Sequence, residues 1–125
     1  MDSNPICACP CCGHIVFEEL QAWAICPICF WEDDPVQVAD PWFAGGANKP
    51  SLVESQANYR KFGAMEQRFV RHVRPPREDD RKDQMWRLVG PEDKALATTP
   101  REIEEKRLRG EFVSYQYWLR SSSRQ

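Results

Sequence analysis

The chain has no cysteine beyond residue 29, although it holds six in all. Cysteines that staple a secreted domain are normally spread through the chain they join. Their confinement to one end argues for reduced thiolates on a metal instead of a disulfide framework. No run of eighteen apolar residues is present, which excludes an ordinary membrane-spanning helix. The opening Met1-Asp2-Ser3-Asn4-Pro5 has neither a basic nor an apolar stretch, so no signal peptide and a cytoplasmic location are expected. The first 59 residues also lack basic side chains, with only Lys49 against eight carboxylates, a balance of −7. Residues 60–125 carry sixteen basic and eleven acidic groups, a balance of +5. An acidic first half is a poor footprint for nucleic acid and suits a basic protein partner better. There is no Gly-rich phosphate loop, no H-E-x-x-H, and no nucleophile beside a base in sequence.

What is present is concentrated between Cys9 and Cys29. Cys9-Pro10-Cys11-Cys12-Gly13 and Cys26-Pro27-Ile28-Cys29 are two C-x-x-C turns, with thirteen residues between Cys12 and Cys26. Two residues between cysteines let both sulfurs of a turn face one ion, and two such turns supply four donors. Cys9, Cys12, Cys26 and Cys29 are therefore the expected ligands of one structural Zn2+. Four thiolates close the site and leave no position for a water. Cys7 and Cys11 fall outside the spacing. Cys11 sits inside a turn where amides and metal lower a thiol pKa, but no resolving partner is evident, so an inert thiol is the simpler reading.

The patterning predicts a small α+β fold, an N-terminal zinc-ribbon β-hairpin packed with two to three helices. His14–Phe17 is β-branched and aromatic and reads as one strand, with Ala22–Ile25 returning as its partner into the second turn. Residues 35–50 hold three prolines and two glycines and are expected to form a loop. Ser51 and Glu54 make a capping box for a helix running to about Phe62, where Gly63 stops it. Residues 66–73 predict a second, shorter helix before Pro75 and Pro76. Thr99, Pro100 and Glu102 start a third, predicted to reach Leu119. The expected organisation is a tail over 1–8, a zinc domain over 9–76, a charged linker over 77–98, and a C-terminal helix and tail over 99–125. Three consecutive carboxylates, Glu32, Asp33 and Asp34, are read as an exposed acidic corner. His14 is read as a strand residue near the metal and His72 as solvated. Asn48 is read as a turn residue.

These residues together resemble the bacterial cysteine-rich CPCC family. The likeness is carried by Cys9-Pro10-Cys11-Cys12-Gly13 and by Cys26-Pro27-Ile28-Cys29-Phe30-Trp31-Glu32-Asp33-Asp34. It continues through Val36-Gln37, Asp40-Pro41, Gly45-Gly46-Ala47-Asn48, Ser51-Leu52, Gln56-Ala57-Asn58-Tyr59, Phe62-Gly63-Ala64 and Arg74-Pro75-Pro76. The resemblance implies a small zinc-binding domain without assigned catalysis, in a family that accompanies polymorphic toxin systems. The protein is accordingly expected not to be an enzyme but an immunity protein that binds a cognate toxin, for example a nuclease. Its acidic front, Glu32, Asp33 and Asp34, would face a basic cleft, with Trp31, Trp42 and Phe43 as apolar anchors. Two other classes are weighed beside it. One is a nucleic-acid-binding zinc ribbon, and the other is a small thiol- or metal-dependent enzyme using Cys11, His14 and the acidic corner.

Overall fold

The structure, a computed structural model, describes residues 5–19, 22–91, 93 and 99–109. The N-terminal hairpin has the first cysteine turn as its tip. Strand β1, Cys7–Ala8, pairs antiparallel with β2, Ile15–Phe17, with a bulge that sets Cys7 opposite Phe17 and Ala8 opposite Ile15. Between the strands the chain reverses through the bonds Cys9 N–H to His14 O (2.8 Å) and Gly13 N–H to Cys9 O (2.8 Å). Residues 7 and 8, expected to be tail, are thus part of the sheet.

Residues 22–25 do not pair with β2 as the sequence suggested. They run beside residues 31–33, through Asp33 N–H to Ala24 O (2.9 Å), an Ile25–Glu32 bridge, and Cys26 N–H to Trp31 O (2.9 Å). The reason lies in the turns themselves. Each C-x-x-C segment reverses the chain, so its two flanks meet each other before either can reach the other turn. Both edges of the 14–17 segment are also in use, one by β1 and one by residues 81–82.

Helix α1, Pro35–Ala39, lies where a loop was expected. Asp34 caps it, accepting from Val36 N–H at 2.8 Å, and Pro35 occupies the first turn, where a missing N–H costs nothing. Helix α2, Leu52–Phe62, matches the sequence reading at both ends. Ser51 and Glu54 form the reciprocal capping box, and Gly63 closes the helix at φ +83°. The expected second helix is a 3₁₀ helix, Gln67–His72. Helix α3, Pro100–Leu108, starts as predicted, with Glu102 N–H on the Thr99 hydroxyl at 3.2 Å, and lies beside α1. Its predicted continuation to Leu119 lies outside the described residues. The core gathers Phe17, Ile28, Trp31, Val38, Leu52 and Met65 around the cysteines. Each fully buried side chain of this size contributes about 1.5–3 kcal/mol.

Part of the stretch expected to be a charged linker is docked on this core. Residues 81–90 form a strap across the first cysteine turn. Ile15 N–H donates to Arg81 O (2.8 Å) and Asp83 N–H to Gly13 O (2.9 Å). The Trp86 indole N–H reaches Pro10 O at 2.9 Å. Val89 N–H reaches the Gln56 side-chain oxygen at 3.0 Å, and the Gln56 amide group donates to the same Pro10 carbonyl at 3.0 Å. Arg81 and Lys82 face solvent while Trp86 and Val89 carry the packing.

Candidate metal centre

The two turns bring four sulfurs together in the interior. The Sγ atoms of Cys9, Cys12, Cys26 and Cys29 all lie within 4.8 Å of one another, and all four residues are buried. Cys9 and Cys29 are 3.5 Å apart, sulfur to sulfur, and Cys12 and Cys26 are 3.8 Å apart. A regular tetrahedron of Zn–S bonds of about 2.3 Å separates its sulfurs by about 3.8 Å. The spacing therefore fits one ion. A set of four sulfurs selects a thiophilic metal, and without oxygen donors it excludes Mg2+ and Ca2+. Zinc is the ion that this donor set fits, in a closed structural role.

The turns share one backbone frame. In the second, Phe30 N–H donates to Cys26 O at 2.8 Å, as Gly13 N–H does to Cys9 O in the first. The residue after the last ligand adopts positive φ in both, +82° at Gly13 and +74° at Phe30. The frame aims amides at sulfur: Ile28 N–H lies 3.3 Å and Cys29 N–H 3.4 Å from Cys26 Sγ. Such bonds offset part of the charge that four thiolates bring into the core. Each turn is also roofed by an aromatic side chain. Phe30 packs on Phe69 at 4.5 Å between ring centroids. Gly13 lies under Trp86, so close that a Cβ there would stand 2.7 Å from the indole.

The sulfurs polarise one another. Hydrogen bonds from Cys26, Cys29 and Cys9 hold the Cys12 thiol far below its ordinary pKa, against its burial, and His14 adds a further bond. Burial pushes Cys9 and Cys29 the other way, well above the ordinary range. Thiols that become metal ligands release their protons, so metal affinity at such a centre rises with pH. His14 is not among the four clustered donors and is, as read, a strand residue near the metal, bridged to Lys82. It is a buried imidazole bonded to a ligand sulfur, a position its sequence neighbourhood alone did not reveal. Cys11 is buried beside Cys29 and its burial raises its pKa, which fits the inert reading. Cys7 is half-buried, and its thiol lies 3.9 Å from Glu18 O.

The acidic corner is not a corner. Asp33 and Asp34 are buried, as is Trp31, so none of the three presents a side chain to a partner. Asp34 is consumed by its cap and by Ala47 N–H at 2.9 Å. Glu32 is half-buried, while Trp42 and Phe43 are exposed, at 47% and 41%. Their loop is pinned from within. The Gln37 amide group donates to the carbonyls of Phe43 (3.0 Å), Asn48 (3.1 Å) and Pro50 (3.1 Å). Its oxygen accepts from Asn48 N–H at 3.0 Å and from the Asn48 side chain at 2.9 Å. Asn48 also pairs with both backbone groups of Glu32, at 2.8 and 2.9 Å. Asn48 therefore serves structure, as the sequence reading weighted it, but by cross-linking the loop to residue 32.

A family profile described as cysteine-rich CPCC matches residues 7–80. The chain belongs to that family. No curated protein matches the chain. Within the CPCC match lie both cysteine turns, the loop pinned by Gln37 and Asn48, and α2 with its capping box. The match ends at Asp80, before the strap that covers the first turn. It begins at Cys7, the first residue of β1, although Cys7 is not among the four clustered thiols.

Proposed function

We propose that this CPCC chain is a zinc-pinned recognition module that binds a protein, and that the partner is a cognate bacterial toxin which it neutralises. The observation that carries the reading is the closure of the metal centre. Four buried thiolates satisfy a tetrahedral ion, which leaves no coordination position for substrate or water. A centre of that kind supplies rigidity and leaves function to the surface. Rigidity lowers the entropic cost of binding. The surface that best fits a partner is the 42–43 turn. Two neighbouring aromatic side chains are exposed there on a loop held by five hydrogen bonds to Gln37. Aromatic anchors on a rigid base are the usual centre of a protein interface. With Asp33 and Asp34 buried, Glu32 is the acidic residue of the expected contact set that keeps some exposure. The excess of carboxylates over residues 1–59 favours a basic partner. The toxin as partner class rests on the family resemblance.

The test is a pull-down of the tagged full chain from its native host. It is paired with growth assays in which each recovered protein is expressed with and without the chain. Recovery of a growth-inhibiting protein whose effect the chain relieves, and whose capture weakens at least tenfold in Trp42→Ala, supports the reading. Recovery of no growth-inhibiting protein, or relief unaffected by Trp42→Ala and Phe43→Ala together, overturns it.

A further inference from the structure

We propose that residues 81–90, which lie beyond the family-matched segment, are the lid of the metal centre, and that Trp86 is its positioning residue. The two halves of the centre are sealed by different means. The second turn is roofed by its own neighbours, Phe30 and Phe69, and its Pro27 is exposed. The first turn has no such side chain of its own. Gly13 stands where Phe30 stands in the second turn, and the Trp86 indole fills the space a side chain would take. Residues 9–14 are all buried as a result.

The fit is specific and not merely apolar. Pro10 O, at the crown of the turn, accepts from both the Trp86 indole and the Gln56 amide group, at 2.9 and 3.0 Å. Gln56 in turn receives Val89 N–H at 3.0 Å, so α2 and the strap hold the crown jointly. Asp83 N–H ties the strap to Gly13 O at 2.9 Å, and Lys82 lies over the outer face of the indole at 4.8 Å. The lid has no ligand of its own. It acts by denying water, chelators and oxidants access to Cys9, Cys11 and Cys12. The cost of opening a docked segment sets how often such buried groups react.

The experiment is alkylation of the zinc-loaded full chain, followed cysteine by cysteine by peptide mass spectrometry, with zinc release to a colorimetric chelator measured in parallel. In the native chain Cys26 and Cys29 should be modified before Cys11 and Cys12, with half-buried Cys7 as the internal reference. In Trp86→Ala the order should reverse. Cys11 and Cys12 should gain about tenfold or more in rate, and zinc release should quicken by a similar factor. Trp86→Phe keeps the ring over Gly13 but loses the bond to Pro10 O, and should fall between the two. Phe69→Ala should do the opposite, quickening Cys26 and Cys29 beyond their native rate while Cys11 and Cys12 keep theirs. A general loss of stability would accelerate both turns alike, and that result in Trp86→Ala and Trp86→Phe overturns the proposal. So does an unchanged order in both variants. If Trp86→Ala does not fold, the Trp86→Phe and Phe69→Ala pair still decides the matter by which turn is quickened relative to the native chain: the first in Trp86→Phe, the second in Phe69→Ala; any other pattern overturns the proposal.

Discussion

Replacing Gln37 by Leu tests whether the aromatic turn is held from inside. Gln37 is fully buried and roughly the size of Leu, so the substitution opens little space. It removes one acceptor and two donors. Asn48 N–H and one hydrogen of the Asn48 side-chain amide lose their partner in the interior, as does the Asn48 carbonyl. The carbonyls of Phe43 and Pro50 are only part-buried and can turn to water. A buried polar group left unpaired costs about 1–3 kcal/mol, so the two orphaned donors alone predict a loss of roughly 4 kcal/mol. Urea unfolding of the zinc-loaded protein, at a fixed free-zinc concentration, measures it. Fixing zinc matters because bound metal adds to apparent stability by mass action. Zinc content should be unchanged, since no atom of Gln37 joins the sulfur cluster. A loss below about 1 kcal/mol would refute the reasoning and show that water or a shifted loop satisfies Asn48. Limited proteolysis should find the 43–47 segment newly cleavable.

Removal of the metal should unfold the chain. One zinc per chain is expected, and chelation should abolish far-UV helical signal, which one equivalent of zinc restores, because such a site contributes on the order of 10 kcal/mol. Two glycine variants separate conformation from space. Gly63→Ala meets no neighbouring atom and should cost about 1 kcal/mol for its positive φ alone. Gly13→Ala meets the Trp86 ring as well and should cost clearly more by the same urea assay. Ser51→Ala should cost about 1 kcal/mol by removing the cap of α2. Burial first, and then the nearby thiolates, raises the pKa of the Tyr59 phenol above its ordinary value. The unfolded chain then loses that proton more readily. The stability Tyr59 contributes is complete below the unfolded value of about 10 and falls as pH rises beyond it. The stability difference between the native chain and Tyr59→Phe should therefore stay flat through neutral pH and decline only above pH of about 10.

How much of this was legible in the sequence depended on the range over which each signal acts. The four ligands and α2 were readable because their determinants sit within four residues of one another: C-x-x-C, Ser51 with Glu54, and Gly63. The pairing of strands was not, because β1 is two residues long and the choice of partner follows from how each turn bends its flanks. The acidic corner was misjudged because charge usually marks exposure. Asp34 is buried since two backbone N–H groups, one of them thirteen residues away, need its carboxylate. The docking of the strap was not legible because residues 77–84 hold no apolar side chain and the short apolar patch at 85–89 does not say which surface it covers. Two packing residues, Trp86 and Val89, are too few to show a period. The loop at 35–50 concealed a helix of five residues, below the length at which periodicity speaks.

The bond between Trp86 and Pro10 has a consequence for the order in which the chain assembles. It spans 76 residues, whereas the Val89–Gln56 bond spans 33. Closing the shorter loop directly costs about 0.7 kcal/mol less entropy than the longer one, by the logarithmic dependence of closure on length. The cheaper route to the Trp86 contact therefore passes through α2. Metal gathers the cysteines, Gln56 joins the crown of the first turn, and only then does the tryptophan have a preformed place to land. Its indole should report the last event of refolding, arriving after the helical signal is complete and at a rate that follows zinc uptake.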